Sequence, residues 1–91
     1  MAHAVVLQVK LPEGGSPEEG QRMLDEQVVP HAKAQAGFQK GTWMHDGSNG
    51  GMGVVVFDTA EHAQAAKEGL EPPPGGPQLV SSAVYEVAAE A

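Results

Sequence analysis

Four consecutive residues, Trp43, Met44, His45 and Asp46, set an indole, a thioether, an imidazole and a carboxylate side by side, directly ahead of a glycine-rich run. An indole stacks on aromatic ligands or donates its N–H, and an imidazole oriented by a carboxylate is the pairing from which a general base is made. Trp43 is the only tryptophan in the chain, and it reads either as the anchor of a ligand pocket or as a packing residue with one polar handle. Neighbouring side chains on a strand point to opposite faces, so His45 and Asp46 share a site only if the strand ends between them; otherwise they form a solvated turn. His31 follows Pro30, where a loosened helix exposes carbonyls and opens a pocket, or where a cation answers the negative helix end. His31 and His45 are the candidate catalytic bases, and Trp43, Met44, Phe57 and Tyr85 the candidate substrate contacts. Tyr85 faces either a cleft, as a hydroxyl donor, or a subunit seam, as packing.

Other chemistries are excluded by type and spacing. The four histidines, His3, His31, His45 and His62, are scattered, with no H-x-x-x-H or H-E-x-x-H pattern, so no metal is expected. The run from Gly47 to Gly53 imitates a phosphate cradle, but it precedes a strand and carries no lysine, which reads as a hairpin turn. Twelve acidic against five basic residues give a net charge of −7, which repels phosphate backbones and argues against nucleic acid. The apolar run Ala4 to Leu7 is interrupted by Gln8 and Lys10, so no signal peptide or membrane span is expected and a cytoplasmic location is.

The elements that must position these residues are legible in turn. Val5, Leu7, Val9 and Leu11 alternate with Val6, Gln8 and Lys10, giving a strand from Ala4 to Leu11 that Pro12, Gly14 and Gly15 end. Ser16-Pro17-Glu18-Glu19 is a capping box with proline in the first turn. Gly20, Leu24, Val28 and Ala32 then recur every fourth residue as an inward stripe, opposite an exposed ladder of Glu18, Arg22 and Glu26. Pro30 predicts a kink with continuation to the left-handed stop at Gly37. Strands are expected over Phe38 to His45 and Met52 to Asp58, with Asn49-Gly50 taking positive φ in the turn between them. Thr59 caps a helix from Ala60 to Leu70 with Ala63, Ala66 and Leu70 inward, and a stiff connection, Glu71 to Pro77, leads to a last strand, Gln78 to Ala88.

This order, β-α-β-β-α-β, is the ferredoxin-like α+β arrangement, an antiparallel sheet with both helices on one face, as one domain over 1–91. Val54-Val55-Val56-Phe57 and Val5-Val6-Leu7 are apolar on both faces, so the face away from the helices needs a cover. A second copy laying its sheet on this one would supply it, closing a barrel of about eight strands. The absence of cysteine, the short chain and an apolar content rich in alanine point the same way.

The residues also resemble a known family. Val28-Val29-Pro30-x-Ala32-Lys33, Gly37-Phe38-x-x-Gly41-x-Trp43, the glycine turn, Val54 to Glu61 and Val84-Tyr85-Glu86-Val87 are similar, over nearly the whole chain, to small antibiotic biosynthesis monooxygenase-like proteins of the dimeric α/β-barrel superfamily. The resemblance implies a homodimer and a cofactor-free monooxygenase acting on a small apolar or phenolic molecule held between sheet and helices. It implies equally a non-catalytic binding or accessory protein of the same fold, because the departures fall on catalytic positions. Phe57 stands where these enzymes commonly carry Trp, Ala66 where haem-binding relatives carry His, with His62 a turn earlier, and strand one lacks an Asn used by some of them.

Overall fold

The computed structural model describes residues 2–11, 16–70, 72 and 76–91. The strand stop read at Pro12, Gly14 and Gly15, and most of the connection after Leu70, lie outside the described residues. The elements are β1 (His3–Lys10), α1 (Pro17–Met23), a π-helical turn (Leu24–Val28), α2 (Val29–Lys33), β2 (Phe38–His45), β3 (Gly50–Phe57), α3 (Ala60–Gly69) and β4 (Gln78–Glu86). With α1, the π turn and α2 taken as one helical stretch, this is the ferredoxin-like β-α-β-β-α-β order. All strand pairs are antiparallel, in the spatial order β2-β3-β1-β4.

Both helical starts form as their caps dictate. Ser16 Oγ accepts the Glu19 amide at 3.1 Å, and Thr59 Oγ1 accepts the His62 amide at 3.1 Å, each satisfying a donor that the first turn leaves unpaired. Pro30 does not end the first helical stretch. Upstream of it the helix widens, Val29 N–H bonding back to the Leu24 carbonyl, and this π turn carries the chain past a residue that has no amide hydrogen to give.

The inward stripe is therefore only partly realised. Ala32 is fully buried, Leu24 and Val28 are half-buried, and Gly20 is exposed. The reason is where the helices lie. α3 packs on β1, β4 and β3, and α2 packs on β2, whereas the main packing of α1 is with the π turn.

Register divides the sheet into two faces. Val5 lies between Val55 and Val84, and Leu7 between Gly53 and Ser82, on the helix side, where Ala32, Ala63, Ala66 and Phe57 complete the core. Each alanine contributes only a methyl, so the helices sit close and the core is thin. The other face carries Ala4, Val6 and Gln8 of β1, Met52, Val54 and Val56 of β3, Thr42 and Met44 of β2, and Ala83 and Tyr85 of β4. β3 begins at Gly50, two residues before the expected Met52, because Gly50 and Gly51 continue the ladder opposite Lys10 and Val9.

Phe57 is the largest fully buried side chain and meets Phe38 edge-on, with ring centroids 6.4 Å apart at 81°. Phe57→Ala is expected to cost about 3–5 kcal/mol of stability in urea denaturation, whereas Gln64→Ala, at an exposed position of α3, should stay within about 0.5 kcal/mol.

Candidate functional site

Trp43 and His45 point to the helix side of β2, and Trp43 pairs with Gly53 across the strands. The indole lies across two glycines. A Cβ at Gly41 would stand 2.7 Å from Trp43 Cη2, and one at Gly53 would stand 2.9 Å from both Cδ1 and Nε1. Only side-chain-free positions allow a ring to lie flat on the pleat in this way. Trp43 is half-buried and packs against the core, on the strand against which α2 also packs. The result is an aromatic floor with an apolar margin supplied by Leu7 and Gly53.

His45 ends the strand, and its Nδ1 accepts the Gly47 amide at 3.1 Å. An amide can only donate, so the neutral ring carries its proton on Nε2 and presents a donor there. Asp46 belongs to the turn. Its Oδ1 accepts the Ser48 amide at 2.8 Å and the Gly50 amide at 3.2 Å, and these bonds hold its carboxyl below the usual value. The left-handed residue of the turn is Gly47, at φ 82, not Gly50 of the expected Asn49-Gly50 pair. Gly50 is needed for another reason, since a Cβ there would meet Asp46 Oδ2 at 2.6 Å. His45 and Asp46 thus do not form a base pair.

His31 does not reach the floor either. Its Nε2 lies 2.6 Å from the Gly69 carbonyl oxygen, an acceptor, so this imidazole donates and ties α2 to the end of α3. Gln35 supports the clasp through its amide to the His31 carbonyl at 3.1 Å. The remaining candidates separate by face: Phe57 is sealed in the core, whereas Met44 (47% exposed) and Tyr85 (58% exposed) stand on the side away from the helices. Tyr85 therefore lies on the face away from the helices and not toward the cleft. Trp43 and His45 alone share a surface.

One pairing escaped the reading of the sequence. His62 Nδ1 lies 2.6 Å from Asp58 Oδ1, both side chains being partly exposed. That bond, with the charge of His62 and the Thr59 amide behind it, holds the Asp58 carboxyl below its usual range. The carboxylate accepts, so Nδ1 donates. The spacing of an acid and a histidine four residues apart across the Thr59 cap was the available signal. Gly37, at φ 80, lies beneath the pair, where any Cβ would collide with both Asp58 Oδ1 and the His62 ring. This dyad sits at the Phe57 end of the sheet, four residues along β3 from Gly53, and so is separate from the Trp43 floor. Among the described residues no cluster of three or more His, Cys, Asp or Glu is arranged to hold a metal ion, and no helix is long and apolar enough to cross a membrane.

No protein-family profile and no curated protein sequence matches the chain. Solved structures do. SnoaB, a cofactor-independent oxygenase from Streptomyces nogalater, superposes with a TM-score of 0.69 at 12% identity, over 98% of this chain and 95% of that one. The haem-degrading protein MhuD from Mycobacterium tuberculosis, with two haems bound in its active site, superposes with a TM-score of 0.66 at 16% identity, over 100% of this chain and 99% of that one. Its haem-free form gives 0.64 at 19% identity. The chain has the fold of the dimeric α/β-barrel superfamily. Identities this low carry the fold and leave the chemistry to the residues.

Two expectations follow. Gly53→Ala drives a methyl against the indole, so the emission of the single tryptophan should shift to the red, while Thr42→Ala on the opposite face leaves it unchanged. The folded carboxyl of Asp58 titrates below its ordinary 3.8, so its stabilisation is present above that pH and is lost as pH falls through the folded value. Asp58→Asn should accordingly be less stable than the parent in thermal melts near neutral pH, and the difference should close as the pH is taken down through the folded carboxyl's lowered range.

Proposed function

We propose that this chain is a cofactor-independent monooxygenase-like protein that binds a small, flat, apolar or phenolic molecule on the Trp43 floor, between sheet and helices. The observation that carries the reading is the indole laid over Gly41 and Gly53, a half-buried stacking surface on the helix side of the sheet. The oxygenase SnoaB, of similar fold, supports the reaction class.

In such a reaction the substrate supplies all four electrons that reduce dioxygen. An activated methylene loses a proton, the resulting anion combines with dioxygen, and collapse leaves a carbonyl on carbon while the second oxygen atom departs as water with the two hydrogens. The protein's part is to hold the ring, exclude water and favour the anion. His45 suits the last role through Nε2–H, which is free to donate toward negative charge on the same face as Trp43. His31, which donates to Gly69, serves the helix pair instead.

Haem degradation fits the residues poorly. The inward face of α3 is filled by Ala63 and Ala66, and His62 is turned to Asp58, so no imidazole on that helix is directed at the floor. A non-catalytic binding role is favoured by one observation, the failure of His31, His45 and His62 to converge. In either role the open sheet face, with Val6, Val54, Met44, Met52 and Tyr85, is covered by a second copy.

Oxygen uptake with a panel of hydroxylated polycyclic substrates separates the two roles. The oxygenase reading expects uptake that falls about tenfold in Trp43→Ala, the scale of one lost aromatic contact, and that falls also in His45→Ala but not in His31→Gln. Binding without uptake across the panel would leave the accessory role.

A further inference from the structure

We propose that residues 87–91 form a strap across one end of the open sheet face, and that this strap competes with the second copy for that face. The inference rests on the reading that a second copy docks there. Lys40, Val56, Ala4 and Tyr85 make one row across the four strands, all on the open face. The chain leaves β4 at one end of this row, where Val87 N–H donates to the Ala2 carbonyl at 2.9 Å. It reaches the other end at Glu90, whose carboxylate lies 3.9 Å from Lys40 Nζ.

β1 and β3 lie between these points, so the crossing spans three strand spacings, roughly 14 Å. The four steps from Glu86 to Glu90 cover about 13 Å when extended, and the Lys40 and Glu90 side chains supply the rest. Burial marks the path. Val56 and Ala4, beneath it, are only 4% and 5% exposed, whereas Val54 and Val6, one row further along the same face, are half-buried. Helices pack on the other side of the sheet and do not account for this difference.

Two sheets that pack face to face stand about 10 Å apart, which leaves no room for an additional chain segment between them. A second copy that covers the whole face must therefore displace the strap. The strap is held weakly enough for that: residues 88–91 are exposed, and the Lys40–Glu90 pair is long and open to solvent, with side chains 64% and 50% exposed. With the strap closed, only the Met44, Met52, Val54 and Val6 part of the face is available.

Sedimentation equilibrium of the full chain, of a chain ending at Val87, of Lys40→Glu and of the charge exchange Lys40→Glu with Glu90→Lys tests this, with Glu18→Gln on the distant α1 as a control for the lost charge. The strap predicts that removing residues 88–91 tightens self-association on the order of tenfold, the scale of freeing one valine and one alanine surface. It also predicts that Lys40→Glu tightens it and the exchange restores it, and that Glu18→Gln leaves it unchanged. Equal association of the full and shortened chains would overturn the strap and leave the dimer standing. Monomers throughout, at 100 µM as an order-of-magnitude upper concentration, would overturn both. A strap that is present must also shift the Ala4 and Val56 methyl resonances when it is removed; unchanged resonances would overturn it whatever the oligomeric state.

Discussion

The contact between the Trp43 indole and the backbone at Gly41 and Gly53 is the constraint around which the helix side of this sheet is arranged. A ring can lie on a pleated surface only if the positions beneath it carry no side chain, and β2 and β3 each supply one such position, cross-strand from Val55 and from Trp43 itself. The close-packed part of the core, Val5, Val55 and Phe57 under Ala32, Ala63 and Ala66, borders the indole, which packs against it. Floor and core are thus consecutive parts of one surface.

The thinness of the alanine-lined core bears on the opposite face. Helices that contribute methyl groups bring little apolar area to the sheet, while valines on both sides of β1 and β3 leave apolar surface on the side away from the helices. Cover from elsewhere stabilises such a chain, and the segment after β4 lies toward that face, with Glu90 reaching Lys40 at 3.9 Å. The clasp of His31 on Gly69 and the Asp58–His62 pair over Gly37 belong to a different task, fixing both ends of α3 to the rest of the fold.

What could be read from the sequence was whatever local chemistry decides. Ser16 and Thr59 cap as their hydroxyls require, β2 runs from Phe38 to His45 as its flanking turns demand, and the doubly apolar β3 foretells a sheet with work on both faces. Pro30 was legible as a disturbance and its remedy, a π turn, was not, because that depends on how the helix meets the sheet. The candidate site was legible in parts. Trp43 and His45 share a face by strand alternation, and the same rule sends Met44 away from them. The engagement of His31 by a carbonyl 38 residues distant, and the sealing of Phe57 under Phe38, arise from tertiary contacts that no spacing encodes. The Asp58–His62 spacing was present in plain view and was eclipsed by the positions at which relatives carry their catalytic residues.

A single tryptophan gives the central claim a direct readout. Titration of the protein with a flat phenolic such as a hydroxyanthracene, followed by Trp43 emission after correction for ligand absorbance, should give saturable quenching in the parent chain. The same titration of Gly53→Ala, whose added methyl lifts the ring from its seat, should lose that saturation. A parent chain whose emission does not respond up to the solubility limit of the ligand would contradict the account of Trp43 as the floor of a binding site.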